Sequence, residues 1–249
     1  MQELAWLLMN DLNYEKAKEI NQFYRAPFIE FGSIGNKDSP NIFELEQSGE
    51  NSRIFMKQSY KYATKIMKDP RLIKTHLPIQ LLSPQIQTEQ KIIYVARNLK
   101  DVCVSFYHMK NCSDEFKEFA LAFKNGDLGP GNWPLHIKDA WTRKDQKNIC
   151  FVWYEEMKQD LDSVIDKVTE FLELPKLTSE KRDELKSYLH IDNFRNNTAV
   201  NKVHEMRGKT NFIRKGIVGD HKNYFDEVME KDWDEWFSKE FNGTGIKMN

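Results

Sequence analysis

An α/β fold with a parallel sheet is what the sequence predicts, and three observations predict it. Three short apolar segments each run into a polar or charged turn that is followed by a helical stretch, the plan a parallel sheet requires. Elsewhere apolar residues recur at helical spacing, most clearly Leu161, Ile165, Val168 and Leu172 with Asp and Lys between them. The chain has 249 residues, 40% apolar and 12% aromatic, enough to bury one full core, and it is read as one domain over residues 1–249.

The first element is a helix from Glu3 through Asn10, which sets Leu4, Leu7 and Leu8 on one face. No strand precedes it, and an apolar helix face with nothing upstream suggests a missing first strand and turn. Gly32 to Asn51, rich in Gly, Ser, Asn and Asp, reads as a loop that could shape a substrate entrance. Arg71 to Ile73 then forms the first strand unit, ending in Lys74, Thr75 and His76. Ile92 to Ala96 ends in Arg97 and Asn98, and Ile149 to Trp153 ends in Tyr154 and Glu155. Ligands of open α/β sheets bind at the carboxyl edge of the strands, so these ends are the first site candidates.

Between the second and third units, Asp114 to Lys124 is helical and Gly126 to Pro134 is a cluster of turn residues. Leu161 to Leu172 is an amphipathic helix that packs on the core. A further helix runs to Leu189, with Ser179 as its N-cap. From His204 to Phe225 the chain becomes basic and glycine-punctuated, with Arg207, Lys209, Arg214, Lys215, Gly216, Gly219 and Lys222. Glycines let a backbone approach an anion and arginine offers a planar fork for phosphate oxygens. On composition alone this stretch is equally a solvated surface loop.

Charge narrows the function classes. The 37 basic and 38 acidic residues nearly cancel, so no global field draws the chain to nucleic acid or to a membrane, and any anion site is local. Cys103, Cys112 and Cys150 are odd in number and lack C-x-x-C spacing, which argues against a disulfide framework and a zinc ribbon and points to the cytoplasm. No apolar run approaches the roughly 18 residues a membrane helix needs, and no signal peptide is recognisable.

The run R-L-I-K-T-H-L-P, Arg71 to Pro78, sets Lys74 and His76 two apart, so an extended backbone sends both side chains to one side. Such a pair can serve group transfer, the histidine taking a proton from a hydroxyl and the lysine answering charge on a leaving phosphate oxygen. Taken by itself, a histidine in such a place is more often structural.

Five stretches together resemble the animal cytosolic sulfotransferases from Glu3 to about Lys247: R-A-P-F-I-E from Arg25, K-T-H-L-P from Lys74, Y-V-A-R-N-L-K-D-V-C-V-S-F-Y-H from Tyr94, W-Y-E-E-M from Trp153, and F-I-R-K-G-I-V-G-D from Phe212. The resemblance implies a single three-layer α/β/α domain around a central parallel sheet, related to the P-loop nucleotide kinases. It implies transfer of a sulfuryl group from 3′-phosphoadenosine 5′-phosphosulfate (PAPS) to a hydroxyl or amine of a small, largely hydrophobic acceptor, without a metal. His76 would be the general base and Lys74 would neutralise the bridging oxygen. Arg97 and Ser105 would grip the 3′-phosphate, with Arg214, Lys215 and the Gly216 amide closing on it. Tyr154 and Phe194 would lie around the adenine. Phe28 and Phe31 would line a slot for a phenol, steroid or other alcohol.

Departures from the family pattern carry their own expectations. The family's lysine-serine-glycine-threonine-threonine-tryptophan loop, which cradles the 5′-phosphosulfate, is not found, and Met1 stands just beyond where it would end. Little or no turnover is therefore expected of these 249 residues alone, and an inactive nucleotide-binding remnant is the alternative to an active transferase. A kinase-like phosphotransferase is the weakest reading, because neither a P-loop lysine with Ser or Thr nor an acidic magnesium ligand after a strand is found. Asp192 replaces a threonine, and its carboxylate must turn away from phosphates. His221 replaces the tryptophan that follows G-D. Asp226, Glu227 and Lys231 stand where the family's dimer motif has threonine, valine and glutamate, so a homodimer by that route is not expected.

Overall fold

A computed structural model describes residues 1–30, 59–110, 112, 115–129, 131–205 and 213–248. Contacts gather these into two compact units, one of Met1–His76 with Leu172–Gly216 and one of Leu77–Phe171 with Ile217–Asn249. The loop expected over Gly32 to Asn51 lies outside the described residues, as do Phe31, Arg207 and Lys209.

In the first unit the opening helix spans Gln2–Met9 and buries Leu4, Leu7 and Leu8 as its periodicity predicts. Its Glu3 is buried as well, which a carboxylate tolerates only when paired. Arg25 Nη2 donates to both Glu3 oxygens at 3.0 and 3.1 Å, and Gln22 Nε2 and Tyr188 OH donate at 3.0 and 3.2 Å. Arg25 also donates to the carbonyls of Ala17 and Ile20 and lies over the Trp6 ring at 4.6 Å. This fixes the start of the Arg25–Glu30 stretch.

The strand predicted over Arg71 to Ile73 does not form. A single parallel bridge joins Phe28 and Lys74, with Lys74 N donating to Pro27 O at 2.9 Å and Ile29 N to Lys74 O at 3.1 Å. Pro27 has no amide with which to lengthen the ladder, so pairing stops there. The helix Ser179–Leu189 is capped by Thr178, whose hydroxyl accepts from Lys181 N at 3.4 Å. Ser179 was the expected cap, but Thr178 offers the same oxygen one residue earlier. Helices Ile191–Asn196 and Thr198–Glu205 follow.

The second unit carries the sheet. Strands β1, Ile92–Ala96, and β2, Ile149–Trp153, pair in parallel from Ile92 with Ile149 to Ala96 with Trp153. Among the described residues it has these two strands. Ile149 through Val152 are all buried, which is why β2 is apolar at successive positions rather than alternating. Each strand feeds a helix, Leu99–Lys110 after β1 and Tyr154–Gln159 after β2.

The core of this unit is aromatic. Phe123 stacks on Trp133 at 4.9 Å and Phe225 meets Trp233 edge-on at 5.0 Å, around Leu99, Cys103 and Val104. The helix Phe116–Asn125, two residues later at its start than the sequence suggests, ends on Gly126 at φ +82°, a left-handed cap that favours glycine. Asp226, one of the residues at the dimer-motif positions, caps the helix Glu227–Glu240 by accepting from Met229 N at 2.9 Å and pairs with Lys117 at 2.7 Å. All three cysteines are free. No described helix is long and apolar enough to cross a membrane.

Candidate functional site

Lys74, Thr75 and His76 leave the Phe28 bridge in extended form, so their side chains alternate. Lys74 Nζ lies over the Phe28 ring at 5.2 Å, and the His76 ring lies 4.6 Å from the same ring. Thr75 points the other way, its hydroxyl donating to Glu30 Oε1, which also accepts from His76 N at 3.2 Å. The three sequence-predicted residues Phe28, Lys74 and His76 thus converge, and Glu30 holds the backbone that carries two of them. Burial pushes the Lys74 ammonium below its ordinary range while the Glu30 carboxylate pulls it back up. His76 itself is exposed, so its imidazole can reach a bound molecule.

Arg214, Lys215 and Gly216 are placed by residues that sequence reasoning passed over. Arg195 donates to Arg214 O at 2.6 Å and to Ile213 O at 3.4 Å. Asn201 accepts from Ile213 N at 3.4 Å and donates to Arg195 O at 2.7 Å. Gly216 adopts φ +64°, and a Cβ there would lie 2.7 Å from Ile191 Cδ1. Its backbone therefore closes directly on the helix Ile191–Asn196, on which Phe194 stands three residues after Ile191. Asp192 turns outward as its chemistry demands, 68% exposed and 3.5 Å from Arg195 Nη1.

In the second unit Arg97 follows β1 directly. Its guanidinium lies 4.4 Å from the Tyr154 ring centroid, and Nη2 donates to Ile217 O at 3.0 Å and to Asp101 Oδ2 at 3.3 Å. Arg97 Nε is buried without a hydrogen-bond partner. Asp101, within the first turn of the helix Leu99–Lys110, also accepts from Gly219 N at 2.8 Å, from His221 N at 3.0 Å and from His221 Nδ1 at 2.9 Å. Burial alone would raise its pKa, but these bonds and Arg97 outweigh burial and hold the carboxyl well below the usual range. Ser105, one turn beyond Asp101, is exposed. Burial raises the Tyr154 phenol against the opposing pull of Arg97, so the ring is neutral.

Each unit has groups of the kind that bind phosphate. In the second, Arg97 carries a buried N–H without a hydrogen-bond partner and Ser105 an exposed hydroxyl. In the first, the Arg214–Gly216 segment combines two cations with a glycine at positive φ. Among the described residues no group of three or more His, Cys, Asp or Glu could hold a metal ion.

The whole chain also resembles known proteins. The sulfotransferase domain pattern matches residues 1–245. Sulfotransferase 1B1 of Canis lupus familiaris is 31% identical over 98% of this chain and 80% of its own length. Luciferin sulfotransferase of Photinus pyralis is 32% identical, over 98% of this chain and 69% of its own. The crystal structure of retinol dehydratase with androsterone and the inactive cofactor PAP superposes with a TM-score of 0.86 at 30% identity, covering 99% of this chain and 78% of that one.

Proposed function

The chain belongs to the sulfotransferase family, and from that premise we propose how its residues divide the work. It is a PAPS-dependent sulfotransferase acting on a small-molecule acceptor. The cofactor, when bound, supplies the activated sulfuryl group and a 3′-phosphate handle. Arg97, Ser105, Arg214, Lys215 and the Gly216 amide hold that 3′-phosphate. Tyr154 and Phe194 flank the adenine. His76 takes the proton from the acceptor hydroxyl as the general base, and Lys74 answers the charge that gathers on the leaving phosphate oxygen.

Phe28 and Phe31 shape the acceptor side, which takes an alcohol, phenol or steroid-like molecule. The relatives' names point the same way, one taking its name from luciferin and another having been crystallised with androsterone. We place the protein in the cytoplasm, as its resemblance to the cytosolic sulfotransferases implies. The single observation that carries the catalytic assignment is the convergence of Lys74 Nζ and the His76 ring on Phe28, at 5.2 and 4.6 Å.

The test is PAPS-dependent formation of sulfated product across a panel of phenols and sterols, followed by mass spectrometry. His76→Ala should lower kcat by about 10²–10⁴-fold, the usual contribution of a positioned general base. Undiminished turnover in that variant would overturn the role of His76. Retained nucleotide binding with no product from the unmodified chain would favour the inactive remnant instead.

A further inference from the structure

We propose that Asp101 and His221 are positioning residues for Arg97, and that this carboxylate–imidazole pair sets how much the 3′-phosphate adds to nucleotide binding. The inference rests on the reading that Arg97 holds the 3′-phosphate.

Asp101 is 1% exposed and gathers four donors: Arg97 Nη2, Gly219 N, His221 N and His221 Nδ1. A surface arginine samples many rotamers and loses that freedom on binding an anion. Arg97 has already lost it. Its plane rests on Tyr154, and its Nη2 is shared between Asp101 and Ile217 O, while Nε stays without a protein partner. A donor held in place before the anion arrives binds more tightly than one ordered by it. The carboxylate is the piece that both aligns the guanidinium and ties it to the Ile217–His221 turn.

His221 gives the carboxylate its second side-chain partner. Nδ1 sits one bond from the ring's attachment and donates to Asp101 at 2.9 Å, and Nε2 lies 3.5 Å from Glu230 Oε1. Glu230 is itself paired with Lys100, which also meets Asp234 at 2.6 Å, so its charge is answered from the helix that carries Asp101. An aromatic residue without the Nδ1 donor would leave one lone-pair site of a buried carboxylate unfilled and free Asp101 to shift relative to Arg97. The contact therefore does more than fill the space left by the family's tryptophan.

The experiment measures, by calorimetry, Kd for adenosine 5′-monophosphate divided by Kd for adenosine 3′,5′-bisphosphate, because this ratio isolates the affinity that the 3′-phosphate adds. Asp101→Asn keeps the shape and an acceptor oxygen but removes the charge. It should lower the ratio about tenfold through the affinity for the bisphosphate alone, the size expected for a charge-assisted bond. His221→Phe should lower the ratio several-fold, and His221→Asn, which keeps a donor near the Nδ1 position, should restore most of it. Should Asp101→Asn fail to fold, the two His221 variants decide the matter by themselves.

Arg97→Ala separates this inference from the reading beneath it. A ratio unmoved by Arg97→Ala overturns the placement of Arg97 at the 3′-phosphate, and this proposal with it. A ratio that collapses in Arg97→Ala but stands in Asp101→Asn and His221→Phe overturns the positioning role only. Equal weakening of both nucleotides in the Asp101 and His221 variants means a structural role, and also overturns it.

Discussion

The Lys74–His76 segment and the Arg97–Asp101 cluster are built to opposite rules. The first meets Phe28 at a β-bridge, leaves its histidine exposed, and has its backbone held by the carboxylate of Glu30 among its partners. The second is buried and many-bonded, with Asp101 saturated by donors and Arg97 clamped by a ring, a carbonyl and a carboxylate. On the proposed roles, a group that exchanges a proton with a varying acceptor gains from access, and one that holds an unvarying phosphate gains from being fixed in advance. The stretch that pairs with the Lys74–His76 segment begins at Arg25, which is anchored by the buried Glu3–Arg25 pair.

That anchor gives the sharpest way to break the contrast. Glu3→Ala strands the Arg25 charge in a buried site and should cost about 3–5 kcal/mol of stability, the usual result of removing one partner of a buried pair. Urea denaturation measures it. A loss below about 1 kcal/mol would mean that the pair behaves as a surface pair and does not anchor the Phe28 stretch.

Acid offers a smaller and more selective probe of the fixed region. Because the folded-state pKa of Asp101 is depressed, its stabilisation is fully present above the ordinary carboxylate value of 3.8 and is lost as pH falls toward the folded value. The difference in stability between the unmodified chain and Asp101→Asn should therefore be constant from neutral pH down to about pH 4–5 and narrow below it. A difference that stays constant into strong acid would show that the charge of Asp101 contributes nothing.

The same contrast decides what could be read from the sequence. The strands β1 and β2 were legible because a buried parallel strand is written as a run of apolar residues, as in Ile149–Trp153. Arg71 to Ile73 was misread as a strand because three residues cannot reveal that their partner contains Pro27. Lys74, His76 and Arg97 could be singled out as candidates because they sit in local runs at element ends. Asp101 gave no such signal, since its partners Gly219 and His221 lie 118 and 120 residues away. Arg195, Asn201 and Ile191 were missed for a related reason: they act on a backbone segment and carry no chemistry of their own. His221 was visible only as a departure from the family's tryptophan, and its bond to Asp101 gives that departure a physical use.

The most direct test of the central claim is the melting temperature with and without adenosine 3′,5′-bisphosphate, in the unmodified chain and in Arg214→Ala. A ligand that binds only the folded state must raise stability, by about 2.7 kcal/mol at a hundredfold excess over Kd. The expected result is a clear upward shift that the variant loses. A folded, unmodified chain whose melting temperature does not move at millimolar ligand would contradict the cofactor site described above.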